Sequence, residues 1–260
     1  MYIQTLISTM NQSSLDFIKS INVETDVVIG NQNGENSIKN YKIGKNKIKV
    51  ISSSTKGLAK NRNITIKHST ADVCILSDDD VIYIPGYSRI VNKAFESITD
   101  ADVIIFNIKE DPVVRHVIKK KHRVRGLEFL RYGSVRIAFK KSSVIKKVKF
   151  DERFGAGGKY PIGEDTIFLS DCLKAGLRIY ALPEYILKIP QSDSTWFAGY
   201  TDDYFINKGK MYNRIFGLLT IPMILQDAIR HRKDYCKCGS ICHNINMMII
   251  GMTRYIKEGK

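Results

Sequence analysis

The sequence predicts an α/β protein: a mixed, mostly parallel sheet flanked by helices, with a helical extension at the C-terminal end. Three observations predict it. Strand-like and helix-like runs alternate through the first hundred residues, the pattern that right-handed crossovers produce. The run DVCIL at 72–76 is apolar after its first residue, and DVIIFNI at 102–108 nearly so, as strands covered on both faces are. From about residue 199 the pattern turns helical and stays so.

Each element has its own signal. Residues 2–8 form a β-prone run, and 15–21 a short helix with Ser13 or Ser14 as cap. Residues 26–30 (DVVIG) form a second strand, ended by the turn chemistry of Asn31-Gln32-Asn33-Gly34. A strand at 47–52 leads to a helix at 58–68, whose apolar positions are Leu58, Ala59, Ile64 and Ile66. After the strand at 72–76 comes a helix at 86–97, then the strand at 102–108. Residues 109–149 are basic and less regular, with a strand at 134–139. A glycine-rich stretch at 150–163 precedes a helix at 166–176, stopped by Gly176. A strand at 178–182 is closed by Pro183. The organisation expected is a unit over 1–198, with halves at about 1–108 and 109–198, and a helical extension over 199–260.

The 260 residues suffice for a core without staples. Hydrophobic content of 43% and charged content of 26% are those of a globular protein. The charge balance is unusual: 41 Lys and Arg against 26 Asp and Glu give +15. That surplus attracts anions of any kind, whether nucleic acid, lipid headgroups or phosphorylated small molecules. It clusters at 119–125, 140–149 and 230–233, where solvated faces would look the same. Five cysteines, an odd number, do not suggest a disulfide framework and point to a reducing compartment. The N-terminal residues carry no basic head and apolar core of a secretion signal, and no apolar run reaches roughly 18 residues. A cytoplasmic protein is the expectation.

In an α/β sheet, ligands bind at the carboxyl ends of the parallel strands. Asp78, Asp79 and Asp80 follow directly on the strand at 72–76. Adjacent carboxylates repel unless something positive lies among them. In an extended segment Asp78 and Asp80 share a face, a donor set for a hard divalent cation such as Mg²⁺ or Mn²⁺. An acidic surface turn would read the same way. Glu164 and Asp165 stand where the glycine-rich stretch enters a helix, as caps or as a general base in a cleft. Lys56 and Arg62 could reach a phosphate, orient the aspartate loop, or belong to a basic helix face.

Taken in order, GLAKNRN (57–63), ADVCILSDDDVIYIPGY (71–87) and FDERFGAGGKYPIGEDTIF (150–168) resemble the family-two glycosyltransferases, inverting enzymes with the GT-A, Rossmann-like fold. The resemblance covers roughly 2–195. It implies that Asp78 and Asp80 form the Asp-x-Asp element holding Mn²⁺ or Mg²⁺ against the donor diphosphate. Asp165 matches the base that deprotonates the acceptor hydroxyl, with Glu164 beside it. Thr5, Ser8 and Thr9 match positions near the nucleoside, and Arg62, Lys56 and Asp79 lie with them around the nucleotide. Asn31 stands where relatives often carry an acid against the base, which leaves that contact open. The loop ending at Gly163, with Gly157 and Gly158, matches the sugar and acceptor pocket, to which Trp196 is assigned. The late-strand His of many relatives is missing from 187–195, with Lys188 or Asp193 as substitutes.

The chemistry implied is direct displacement. Charge builds on the leaving diphosphate and on the sugar ring, so metal and base must flank the sugar. The resemblance implies a UDP-linked hexose donor, a saccharide or lipid-linked acceptor, and a role in surface polysaccharide assembly. Two alternatives use parts of the same pattern. A nucleotidyltransferase would need a glycine-rich phosphate loop near the first strand, which 5–14 lacks. A nucleic-acid-binding protein would use the positive charge and leave the acidic elements unexplained, so nucleic acid is not an expected partner.

In the C-terminal part, Ile241, Ile245, Met248, Met252, Tyr255 and Ile256 recur at helical spacing, as do Leu218, Ile221, Leu225, Ala228 and Ile229. The expectation favours helices packed on the catalytic unit or on a second copy in a homo-oligomer. The alternative is a peripheral contact with an anionic membrane at the inner face of the cell, given the flanking Arg and Lys. Cys236, Cys238, Cys242 and His243 form a cluster whose Cys-x-Cys spacing is tight for zinc.

Overall fold

The computed structural model describes residues 1–113, 115–190, 199–235 and 239–258. Among them, ten strands form one sheet. They are β1 (Ile3–Met10), β2 (Asp26–Gln32), β3 (Ser37–Ile43), β4 (Asn46–Ser53), β5 (Val73–Asp78), β6 (Ile82–Tyr83), β7 (Val103–Lys109), β8 (His122–Arg123), β9 (Ile137–Lys140) and β10 (Ile179–Lys188). The helices are α1 (Phe17–Ser20), α2 (Leu58–His68), α3 (Tyr87–Ser97), α4 (Lys141–Val144), α5 (Glu164–Lys174), α6 (Asp202–Phe216), α7 (Thr220–Arg230), α8 (Arg232–Tyr235) and α9 (Ile241–Glu258). The strand order is β3-β4-β2-β1-β5-β9-β7-β10-β6, with β8 on β10. Strands β4, β2, β1 and β5 run parallel, so their carboxyl ends share one edge.

Alternation along the strands makes three layers. Leu6, Val28, Cys74 and Leu76 face one side, where they share a core with α2, α5 and the C-terminal helices. Ile3, Val73, Ile75 and Phe106 face the other side and bury α3. Ile7, Val27 and Ile29 cover α1 on that second side. Helices α6 and α9 cross at backbone contact: a Cβ on Gly209 would strike the Met248 carbonyl, and one on Gly251 the Ile206 carbonyl. Any side chain at either glycine would push these helices apart.

The predicted mixed α/β architecture is the one found, and its departures have physical reasons. Strand β2 runs through Asn31 and Gln32 because β1 and β4 pair with it there. Strand β3 is an edge strand paired with β4 in antiparallel register; its residues are largely exposed and so carry little apolar signal. Strand β9 inserts antiparallel between β5 and β7. Strand β10 continues past Pro183 to Lys188 because its pairing with β7 shifts register between Ala181 and Tyr185, where a proline costs no ladder bond. No helix among the described residues is long and apolar enough to cross a membrane. The expected boundary at 198/199 lies beside residues outside the described ones.

Candidate active site

Helix α2 turns Ala59, Arg62 and Ile66 toward the sheet, at the i, i+3, i+7 spacing of a buried stripe. Arg62 is therefore drawn into the interior, with only 2% of its side chain exposed. A buried guanidinium requires partners on several sides. Its Nη2 lies 3.3 Å from Asp78 Oδ1 at the end of β5, and its Nη1 lies 3.3 Å from Glu164 Oε1 at the start of α5. Nη1 also pairs with Asp165. The plane of Phe150 lies beneath it at 5.5 Å, and Phe150 stacks in turn on Phe168 at 4.3 Å. The cation of the first motif thus gathers an acid from the second and both acids from the third.

The charges do not balance. Burial raises the Asp78 carboxyl to about 6, with Asp165 and Asp80 adding to the rise and Arg62 opposing it. Burial and then Asp165 push Glu164 up to about 7 against the pull of Arg62. Burial alone would lower the Arg62 pKa, but Asp165, Asp78 and Glu164 outweigh it and hold the guanidinium charged. Burial and Asp79 raise Asp80 as well.

The acidic turn is built differently from a simple extended strand. Strand β5 ends at Asp78, so Asp79 and Asp80 lie in a turn and strict alternation does not govern them. Asp79 reaches back to the end of β1, where it accepts from the Thr9 hydroxyl and from Gln12 Nε2 at 2.9 Å. Asn31 clamps Gln12 in both directions, donating to its carbonyl at 2.8 Å and accepting from its amide at 3.1 Å. Asp80 is exposed.

The residues expected around the donor are placed as follows. Thr5 is fully buried, its hydroxyl spent on Thr25 at 2.8 Å and Tyr87 at 3.0 Å, too deep in β1 to meet a nucleoside. Thr9 and Asn31 support the acidic turn instead of facing the cleft. Ser8 is buried in register with Asp78, and its hydroxyl finds no partner among the described residues. Lys56 is exposed in the loop before α2. Arg62 joins the acidic groups, filling the space directly between Asp78 and Asp165.

The glycine-rich loop has a structural cause. Leu58 N donates to the Ala156 carbonyl at 2.8 Å, and Gly157, with a φ of +72°, lies against Gly57. Gly158 is closely backed by the Arg153 and Gly155 carbonyls. Gly163 opens α5 at a φ of +98°, and a Cβ there would run into Met211 of α6. These contacts dock the third motif onto the first and aim Glu164 and Asp165 at Arg62. Trp196 and Asp193 lie outside the described residues; Lys188 is exposed at the end of β10. Of the Cys/His cluster, Cys236 and Cys238 also lie outside them, Cys242 is a free exposed thiol, and His243 Nε2 meets Asp202 at 2.7 Å.

One residue escaped the sequence reading. Arg115, in the segment after β7, pairs with Glu110, and the fields of Asp80 and Asp78 act on it. Its segment is anchored by buried Arg136, which donates to the Phe106 carbonyl at 2.8 Å and the His116 carbonyl at 3.1 Å. Asn107 adds bonds to both the carbonyl and the amide of Ile118 at 2.9 Å. Nothing in PVVRHV distinguishes this arginine, because a three-dimensional anchor sets its place.

The fold also has relatives among solved structures. Staphylococcus aureus TarS residues 1–349 in complex with UDP-GlcNAc superposes with a TM-score of 0.60 at 15% identity, over 84% of this chain and 67% of that one. The longer S. aureus TarS gives 0.62 at 14% identity, over 89% of this chain and 43% of that one, so the chain spans less than half of that relative. The mannosyltransferase PcManGT from Pyrobaculum calidifontis, in complex with GDP-Man and Mn²⁺, gives 0.54 at 11% identity, over 99% and 76%. Identities this low speak for the fold alone. No curated protein matches the chain by sequence. Residues 18–157, just over half of the chain and the stretch that carries the acidic turn and Arg62, match the family described as Glycosyl transferase family 2, and the chain is a member of that family of glycosyltransferases with the GT-A fold.

Proposed function

We propose that the protein transfers a sugar from a nucleotide-diphosphate donor, UDP-linked, to a saccharide hydroxyl, free or lipid-linked, with inversion at the anomeric carbon. The observation that carries this reading is the convergence of Asp78, Glu164 and Asp165 on Arg62 at the carboxyl edge of the sheet. The nucleotide sugars bound by TarS and PcManGT support the donor class. A hexose donor and surface polysaccharide assembly follow from the family resemblance.

The acid excess fits a divalent cation, Mn²⁺ or Mg²⁺, held by Asp78 and Asp80. Among the described residues no cluster of three or more His, Cys, Asp or Glu forms a closed cage, so the diphosphate would complete the ligand set, as is usual for Mg²⁺. When bound, such an ion neutralises charge on the leaving diphosphate. Arg115 stands near the same acids as a second positive group for that charge.

Asp165 accepts the proton of the acceptor hydroxyl as its oxygen bonds to the anomeric carbon and the bond to the diphosphate breaks. Arg62 pairs with the Asp165 carboxylate and fixes its direction. One observation favours Glu164 for the same role: its pKa of about 7 is near-ideal for a base. Turnover of Asp165→Asn and Glu164→Gln with donor and acceptor separates them. Loss of roughly 10²–10⁴ in kcat with donor affinity kept marks the base. Wild-type turnover in Asp165→Asn would remove the assignment.

A further inference from the structure

Helix α7 packs one face on its neighbours and leaves an apolar face exposed. Thr220, Ile224, Asp227 and Ala228 are buried against α6, α8 and α9. Of the stripe expected through Leu218, Ile221, Leu225, Ala228 and Ile229, only Ala228 is buried within the chain. Leu218 is fully exposed, Leu219 and Ile229 are each 64% exposed, and Ile221 and Leu225 are 47% and 44% exposed. These five aliphatics run along one side of the helix and the turn before it. Scattered exposed leucines are ordinary; a contiguous row of five is not.

The charge at the end of the row is mainly positive. Arg230 continues the helix, and Arg232 and Lys233 follow on α8, all exposed, with Asp234 the acid beside them. The same end of α7 approaches a second basic segment. Arg131 and Arg230 both act on His116 and lower its pKa after burial has done so. That segment carries the exposed Lys119, Lys120 and Lys121.

We infer that this face is a docking surface for an anionic lipid bilayer, with the α7 aliphatics entering the headgroup boundary and the basic residues resting on phosphate. Two features choose a bilayer over a second copy of the chain. A two-fold interface centred on the basic end of α7 would set the rim against itself, which like charges oppose. An anionic bilayer neutralises the same rim. The apolar row also includes Leu218, which projects wholly from the turn, a shape suited to insertion into a soft surface. The inference stands whether or not the acceptor is a lipid.

Sedimentation of the full chain with vesicles tests it. Vesicles of phosphatidylcholine mixed with phosphatidylglycerol should bind the protein at low salt, with binding falling as salt rises; phosphatidylcholine alone should bind it at least about tenfold more weakly. Leu218→Glu combined with Leu225→Glu should lower the partition coefficient about tenfold or more, with unfolding temperature and donor hydrolysis unchanged, because both residues are exposed. Arg230→Glu should weaken binding to anionic vesicles alone. Absence of binding at low salt, or binding untouched by the double substitution, overturns the inference. So does a wild-type dimer in light scattering that the double substitution converts to monomer. Donor hydrolysis reads the catalytic proposal separately.

Discussion

Two of the ion networks buried among the described residues separate machinery from scaffold by their contrast. Around Arg62, one cation faces three carboxylates, and burial raises Asp78 and Glu164. Between α6, α7 and α8, Lys208 meets Asp227 at 2.9 Å, and Asp227 also accepts from Tyr212 and Tyr235, each at 2.8 Å. There one anion faces one cation and two hydroxyls. Burial would raise Asp227, but Lys208 and the hydroxyls hold it below the usual range. The helical network is complete by itself. The network at the sheet edge carries surplus negative charge, which a fold does not need and which a cation and a diphosphate site would use.

Opposite signs should follow when an acid is removed. The largest effect comes from the cation: Arg62→Ala strands three buried carboxylates and should cost about 3–5 kcal/mol in denaturant unfolding. Asp227→Asn leaves Lys208 buried without its anion and should cost about 2–4 kcal/mol at pH 7. A loss under about 0.5 kcal/mol would show that the helical network is not a balanced pair. Its pH dependence is fixed by sign. The lowered Asp227 pKa gives stability that is present above the unfolded carboxyl value and is lost as the pH falls through the folded one.

Glu164→Gln should do the reverse. The Glu164 pKa rises from 4.5 to about 7, so the folded state holds a proton that the unfolded chain releases. That stability is complete below pH 4.5 and lost as the pH rises through about 7. The substitution should therefore stabilise the protein at pH 8 by about 1–3 kcal/mol and leave it nearly unchanged at pH 4.5. Thermal unfolding at both values measures it, and equal shifts would refute the surplus of charge.

The two regions also differ in how well the sequence disclosed them. Asp78 and its turn were legible because an apolar strand leads straight into them, and Glu164 and Asp165 because a glycine stretch leads into a helix. The part played by Arg62 was not. The apolar pattern of α2 selects Leu58, Ala59, Ile64 and Ile66, while the buried face is Ala59, Asn61, Arg62, Thr65 and Ile66. Polar residues fill it because they serve partners distant in sequence. Asn61 donates to the Gly30 carbonyl at 2.8 Å, and a Cβ on Gly30 would run into its side chain. Strand β9 was legible only as a strand, since no local period encodes its antiparallel insertion between β5 and β7. On α7 the period was legible and the buried face was not, because solvent-facing aliphatics and core aliphatics share one spacing.

Thermal unfolding of the wild type and of Asp80→Asn at pH 8, with and without Mn²⁺ and UDP together, tests the account most directly. Asp80 is exposed, so the substitution leaves the fold intact and probes only the use of the surplus charge. The wild type should gain about 2–3 kcal/mol at ligand concentrations a hundredfold above Kd, and Asp80→Asn little or nothing. Equal gains in both proteins, or none in either, would contradict it.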